Sequence, residues 1–492
     1  MLYATAETRT WKFLKLVSLK ENVTALNFVA FVLASGLAIC MYVFLSSTQG
    51  FVLGDILGVP SARLGDISGN LTLFDECVSL VMVYAWGVYS DRIGRNGIYG
   101  LGFVLIGAGL VAYPYATSYN SDLIVYRALY AVGAAATSSM LTAVLADYAA
   151  ESDRGKVSGL VGLMSGVGAL LAVFVFLPLP TKFASAVEGL RISYAVVGGF
   201  AVLFGLFLFF ALRPKAVNDA ALLSQAHGIA PLEPSKPVET PSFVAGFKAG
   251  IAAAKDGKVL LGYMGSFLAR GDTIIITIFL PLWVYKYYIE HHLCTATDVN
   301  SPDIKDDCRK AYIVASIVGG VVQTAALVSA PVFGYIGDRV YRPLVVLAST
   351  IIGGIGYFWL YLSTDPTAPI MYLVAVVVGI GEMGIVVSSL SLVTSKAIPC
   401  QLRGSVSGAY SFFGTIGILI TSKLGGYLFD HWTSTAPFFI MAVGNVICAV
   451  VAIGVMLQDL RRAQAIATEE RTPLLQSLQK MQLEQDELRL LH

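Results

Sequence analysis

The feature that most limits what this chain can become is a recurrence of long apolar runs separated by short polar breaks. A helix crosses the hydrocarbon layer of a bilayer in about 20 mostly apolar residues. By that measure twelve spans follow one another: 25–53, 71–90, 97–116, 121–149, 156–178, 189–212, 259–289, 311–336, 343–363, 369–396, 404–428 and 435–457. Inside lipid every backbone N–H and C=O has to be satisfied within the protein, and for runs of this length only helices do that. Composition points the same way, since 13% of the residues are charged against about 25% in soluble domains. An even number of spans puts both tails on one face. Arg9, Lys12, Lys15, Lys20, Arg92, Arg95, Arg154, Lys156, Arg339, Arg342, Lys396, Arg403, Arg461 and Arg462 all fall on that face. Such an excess marks the cytoplasmic side, so tails and central loop are predicted to be cytoplasmic.

Between the second and third spans the chain reads YAWGVYSDRIGRNGIYG, from Tyr84 to Gly100. Gly87, Asp91, Arg92, Gly94 and Arg95 crowd into a gap so short that the flanking helices must be antiparallel. Glycine permits the tight backbone of such a reversal. The pattern G-x-x-x-D-R-x-G-R resembles the signature loop between helices 2 and 3 of the major facilitator superfamily, with Asn96 where that family usually has a second basic residue. A weaker copy, GYIGDRVYRP, carries Gly334, Asp338, Arg339 and Arg342. RGKVSG from Arg154 and RGSVSG from Arg403 form another pair at almost the same offset, about 250 residues, and two unrelated motifs repeating together indicate a duplicated half.

The resemblance implies an all-α membrane protein with twelve transmembrane helices in two pseudo-symmetric six-helix bundles, the major facilitator fold. The expected divisions are a cytoplasmic N-terminal tail (1–23), an N-terminal bundle (24–212), a cytoplasmic linker (213–258), a C-terminal bundle (259–458) and a cytoplasmic C-terminal tail (459–492). It also implies a solute cavity between the bundles and a conformational latch at the cytoplasmic face. In that latch Asp91 accepts from a neighbouring helix N-terminus and from Arg154, and Asp338, Arg339 and Arg403 are the second-half counterpart.

The first residues, through Asn22, are basic and moderately amphipathic with no small-residue cleavage site, which predicts a tail on the membrane surface,. Pro214, Pro231, Pro234, Pro237 and Pro241 make the central linker an extended segment,. Helical period returns over 242–258. The largest exoplasmic loop, 288–309, holds Cys294 and Cys308, a pair expected to be bridged on an oxidising face,. His291 and His292 lack a further ligand at metal-binding spacing, so neither a metal nor a cofactor is expected.

Charges inside a spanning helix are costly and are functional candidates for that reason. Asp75 and Glu76 fall in the outer half of span 2 and Arg127 in the outer half of span 4, at similar depths. Arg127 opens R-x-x-x-A-x-G-x-A, similar to the superfamily's helix 4 motif, whose arginine is linked to proton coupling. A carboxylate beside an arginine, loaded and released as the cavity changes side, is the expected proton carrier; a static ion pair between the helices is the plainer alternative. In the second half Arg270 and Asp272 lie near the middle of span 7 and Glu382 near the middle of span 10, where a cross-helix pair of Arg270 with Glu382 is expected. Tyr42 and Tyr263 are the aromatic cavity-lining candidates, because the resemblance makes spans 1 and 7 line the cavity.

The expected function is proton-coupled secondary transport of a small organic solute, such as symport, with membrane lipid, the solute and protons as partners. No nucleophile elbow, P-loop or clustered ligand set points to an enzyme, and no basic tract points to nucleic acid. A drug or toxin efflux antiporter at the plasma membrane and a non-transporting solute receptor are the alternatives. In the C-terminal tail Glu470, Leu474 and Leu475 fit an acidic dileucine sorting signal, read as an extended segment after Pro473 that meets a sorting adaptor,. That reading places the protein in a vacuolar or lysosomal membrane.

Overall fold

In the computed structural model the described residues are 10–13, 17–20, 23–149, 154–183, 185–213, 243–293, 304–393 and 403–490. The first bundle comprises α1 (Ala25–Phe51, prolonged as a π-turn over Val52–Ile56), α2 (Leu64–Ile93), α3 (Arg95–Ala112), α4 (Asp122–Tyr148), α5 (Arg154–Leu171, prolonged over Ala172–Phe176) and α6 (Ala186–Ala211). A short surface helix, α7 (Phe243–Ala252), precedes the second bundle. There the seventh span is α8 (Gly257–Ile274) joined through a π-turn to α9 (Leu280–Glu290). It is followed by α10 (Ile304–Arg339), α11 (Arg342–Leu362), α12 (Ile370–Val393), α13 (Arg403–His431) and α14 (Ala436–Leu490). Among the described residues eleven spans are apolar enough to cross a membrane on length and composition alone. The twelfth is α2, whose first twenty residues carry Asp66, Asp75 and Glu76, yet it is a continuous helix of 30 residues.

Local chemistry sets the ends of these helices. Thr24 and Asn27 form a reciprocal capping box at the start of α1,. The Asn27 amide also donates to the carbonyls of Ala211 and Arg213 at 2.7 and 2.9 Å, which ties the cytoplasmic end of α1 to that of α6. Gly94 ends α2 and starts α3 with φ of 97°, a conformation that glycine alone adopts without strain,.

The packing repeats as the sequence motifs do. In the first bundle α3 packs on α6 and α4, α2 on α4, and α1 on α5. In the second, α11 packs on α14 and α12, α10 on α12, and α8 on α13. Each pair maps onto its counterpart six spans on. A matching polar contact repeats too: Arg95, at the start of α3, pairs with Asp147 at the end of α4 at 3.0 Å, and Arg342, at the start of α11, donates to the Ser391 carbonyl near the end of α12 at 2.8 Å.

The halves meet at their exoplasmic ends. A Cβ on Gly65 would stand 2.8 Å from the Gly426 carbonyl oxygen, so α2 and α13 touch backbone to backbone there. Asp430 at the end of α13 accepts from the N–H groups of Gly65 and Asp66 at 3.0 and 2.7 Å and so caps α2,. Lys423 bridges to Asp66 and Asn70 at 2.8 and 2.7 Å. Asp55, just past α1, accepts from Tyr285 of α9 at 2.5 Å and from Tyr312 of α10 at 2.9 Å, and the Phe51 ring stacks on Tyr312. Among the described residues, the polar contacts between the halves gather at this end. At the opposite end, Gly159 and Gly162 of α5 and Gly408 of α13 are exposed, with no described atom within 4 Å of where a Cβ would stand.

The tails add detail at one end and a correction at the other. The N-terminal segment contains an antiparallel hairpin, β1 (Thr10–Phe13) with β2 (Val17–Lys20). Leu19 bridges to Ala149 at the cytoplasmic end of α4, and Phe13 meets Phe28 edge to face. Alternation of Val17 and Leu19 inward with Ser18 and Lys20 outward is the period-two pattern of a half-buried strand,. At the other end α14 runs as one helix through 470–475 instead of turning extended at Pro473.

Candidate functional site

Arg127 is the largest charged group in the core of the first half, and only 1% of it is exposed. Its Nε donates to Asp75 Oδ2 at 2.7 Å, and Nη1 donates to the Tyr113 hydroxyl at 3.3 Å while the guanidinium lies over the Tyr113 ring. Tyr113 in turn stacks on Tyr194, whose hydroxyl shares a hydrogen bond with Thr48 at 2.7 Å. Side chains from α1, α2, α4, α6 and the turn after α3 thus hold one guanidinium in place. Asp75 Oδ1 has no hydrogen-bond partner. A buried ion pair with one oxygen left over is a costly arrangement, because desolvation of both charges opposes their attraction.

Glu76, the next residue, is half-buried on the cavity side of α2, about 18 Å below the start of that helix,. The cation that acts on it belongs to the other half: Arg270 of α8. The Arg270 stem lies over Gly414 of α13 and the residue is exposed. The expected Arg270–Glu382 pair is therefore not made among the described residues. Two positions apart on α8, Arg270 and Asp272 point to different sides, and Asp272 turns inward to face Glu382. Tyr42 on α1 is half-buried within electrostatic reach of Glu76, Asp75 and Arg127, so it joins this site.

Tyr263 does not line the cavity. Its ring is fully buried and stacks on Phe413, and its hydroxyl donates to the Gly250 carbonyl at 2.7 Å. It fastens the surface helix α7 to α8, a role that a tyrosine takes when its hydroxyl finds a backbone acceptor.

The latch residues divide. Gly87, Asp91 and Arg92 lie in the last turns of α2, Arg154 starts α5, Asp338 ends α10 beside Arg339, and Arg403 starts α13. The side chains of Asp91, Arg92, Arg154, Asp338 and Arg403 lie outside the described ones. Arg95 is described: besides Asp147 it donates to Ser90 Oγ at 2.5 Å. Arg339 lies 4.1 Å from the centre of the Tyr335 ring. Cys294 and the Cys308 side chain lie outside the described residues, as do the side chains of Glu470, Leu474 and Leu475.

Several functional groups escaped sequence reasoning. Asp55 interrupts the apolar run V-L-G-D-I-L, and that charge was the signal for it. Tyr285, Tyr312, Tyr113 and Tyr194 carried no signal, since a tyrosine near a membrane interface is ordinary.

The fold matches solved transporters. A bacterial homologue of the human lysosomal transporter Spinster, in an inward-facing and unoccupied conformation, superposes with TM-score 0.62 over 88% of this chain and 97% of that one, at 15% identity. A D-xylose–proton symporter superposes with TM-score 0.62 over 86% of this chain and 96% of the other, at 16% identity. In sequence, the Magnetosome protein MamH of Paramagnetospirillum magneticum is 24% identical over 439 residues, which is 88% of this chain and 93% of that protein. A family model described as Major Facilitator Superfamily matches residues 23–293 and again 262–484. The chain belongs to the Major Facilitator Superfamily.

Proposed function

We propose that the protein carries a small organic solute across the membrane coupled to protons, with Asp75 and Glu76 as the proton-bearing carboxylates. The observation that supports this most is the Asp75–Arg127 pair, buried beside the cavity with one carboxylate oxygen unpaired. Arg127 favours the ionised carboxylate, and a rearrangement that parts the two favours the protonated one. Glu76 faces Arg270 from across the cavity, so solute entering between them alters both charges together. Asp91 with Arg154, and Asp338 and Arg339 with Arg403, close the cytoplasmic side in the opposite state. A Cys294–Cys308 bridge staples the exoplasmic loop. The vacuolar or lysosomal address rests on the composition of the Glu470, Leu474, Leu475 motif alone, because the helix there removes the extended segment that the motif was read to need.

The test is uptake into proteoliposomes of a panel of radiolabelled amino acids, sugars, nucleosides and organic acids under an imposed pH gradient. Uptake that a protonophore abolishes, with Asp75→Asn retaining solute exchange but losing gradient-driven accumulation, supports the proposal. Uptake indifferent to protonophore and external pH refutes the coupling and leaves a uniporter. Binding of a panel member without uptake favours a receptor.

A further inference from the structure

The last helix, α14, runs unbroken from Ala436 inside the membrane to Leu490. Its part beyond the twelfth span, 458–490, measures about 50 Å at 1.5 Å per residue. Within the span the helix has two faces. Met441, Asn445, Cys448, Ala452 and Val455 are at most 6% exposed, on the side packed against α8, α11 and α13. On the other side Val443, Val446, Val450, Ile453, Leu457 and Leu460 are 40–63% exposed.

The exposed stripe alternates steps of three and four residues, and it keeps phase where the helix leaves the membrane. The next positions in the same register are 464, 467, 471, 474, 478, 481, 485 and 488, and among them are Ala467, Leu474, Leu478, Met481 and Leu488. An average step of 3.5 is the heptad repeat, with 443, 450, 457 and their successors at a and 446, 453, 460 and theirs at d. On a straight helix such a stripe drifts by about 20° per heptad, so from 443 to 488 it would turn by about 130° and leave any one face. Lipid does not require that register, since acyl chains wet a helix on every side. A second helix does, because supercoiling keeps an a/d seam in contact along its whole length.

The flanking charges fit another copy of the same helix. Copies in one membrane share an orientation, so their seams pair in parallel, and each g residue then lies beside the e residue five positions later on the other copy. Glu484 is at g and Arg489 at e, so two copies form this complementary pair twice. Glu470 at g of one copy likewise neighbours Arg471 at a of the other. Gln464 and Gln485 fall at a, where a polar residue meeting its own counterpart specifies register and oligomeric state at a cost in stability,. Position c, away from the seam, takes Pro473 and Asp459. Asp459 is held by Lys258 of the same chain at 2.8 Å, a contact that stays off the seam.

We propose that α14 pairs with the α14 of a second copy as a parallel two-stranded coiled coil, seamed through the membrane over 443–460 and in the cytoplasm over 464–488. The pairing needs neither solute nor proton, so its failure and that of proton-coupled transport are separate results.

The test counts photobleaching steps of the full-length chain, carrying an N-terminal fluorescent fusion, in liposomes over a range of lipid-to-protein ratios. Two chains per particle are expected at the lower dilutions. Leu474→Lys with Leu478→Lys should give one, whereas Gln476→Lys with Leu483→Lys, both at f, should leave two. Glu484→Arg should raise the dissociation constant about tenfold, and Arg489→Glu added to it should restore the wild-type value. A single wild-type chain per particle at every dilution overturns the proposal, and that result needs no variant to fold; protection of 466–490 from protease by the vesicle surface would then assign the stripe to lipid. Dimers that the two seam lysines leave intact overturn it as well.

Discussion

Asp55 is the group through which the closed exoplasmic side can be opened by design. Its carboxylate, at the end of the first span, accepts hydroxyl hydrogens from Tyr285 and Tyr312 of the other half. Both tyrosines are almost fully buried. Opening of the exoplasmic side replaces the two hydroxyls with water, so removing them costs the inward-facing state and leaves the outward-facing state unaffected. A hydrogen bond to a charged group contributes about 1.5 kcal/mol at the low end of its range, so Tyr285→Phe with Tyr312→Phe shifts the equilibrium by about 3 kcal/mol, or roughly 150-fold. An outward-facing population of about 1% then becomes more than half. Spin labels on Asn120 and Thr364, exposed residues of exoplasmic loops in opposite halves, report the opening by double electron–electron resonance in a cysteine-free background that also replaces the exposed Cys77. The double variant should gain a longer inter-label distance as a major population. A folded double variant with the wild-type distance distribution refutes the argument that Asp55 holds the halves together.

Two further outcomes follow from the cytoplasmic side. Asp91→Asn should reduce transport at least several-fold while expression and membrane insertion stay near wild type, because the carboxylate acts only when the cytoplasmic ends close; wild-type turnover in the variant removes Asp91 from the latch. Tyr263→Phe deletes the hydrogen bond to Gly250 and should lower stability by about 1 kcal/mol, with faster amide exchange confined to 243–252. Unchanged exchange there shows that stacking on Phe413 alone retains the surface helix.

The number of spans and the duplication were legible in the sequence because a bilayer imposes a ruler along one dimension. Apolar length counts crossings, and Asp91 with Asp338 and Arg154 with Arg403 report the repeat. The inventory of intramembrane charges was legible for the same reason. Which charge meets which was not. Successive residues on a helix point about 100° apart, so Asp75 meets Arg127 while Glu76 faces Arg270, and Arg270 enters the cavity while Asp272 turns into the second bundle. Those directions become contacts only once helix packing is settled, and packing depends on close approaches such as Gly36 against the Met164 backbone and Gly381 against Gly353. Nothing along the chain announces that Tyr113 or Tyr194 completes a polar cluster, since each becomes polar machinery only through neighbours far away in sequence. The tails depended on tertiary structure as well: the Val17–Lys20 strand has its hairpin partner and the end of α4 to pair with, and the segment around Pro473 continues a helix that began inside the membrane.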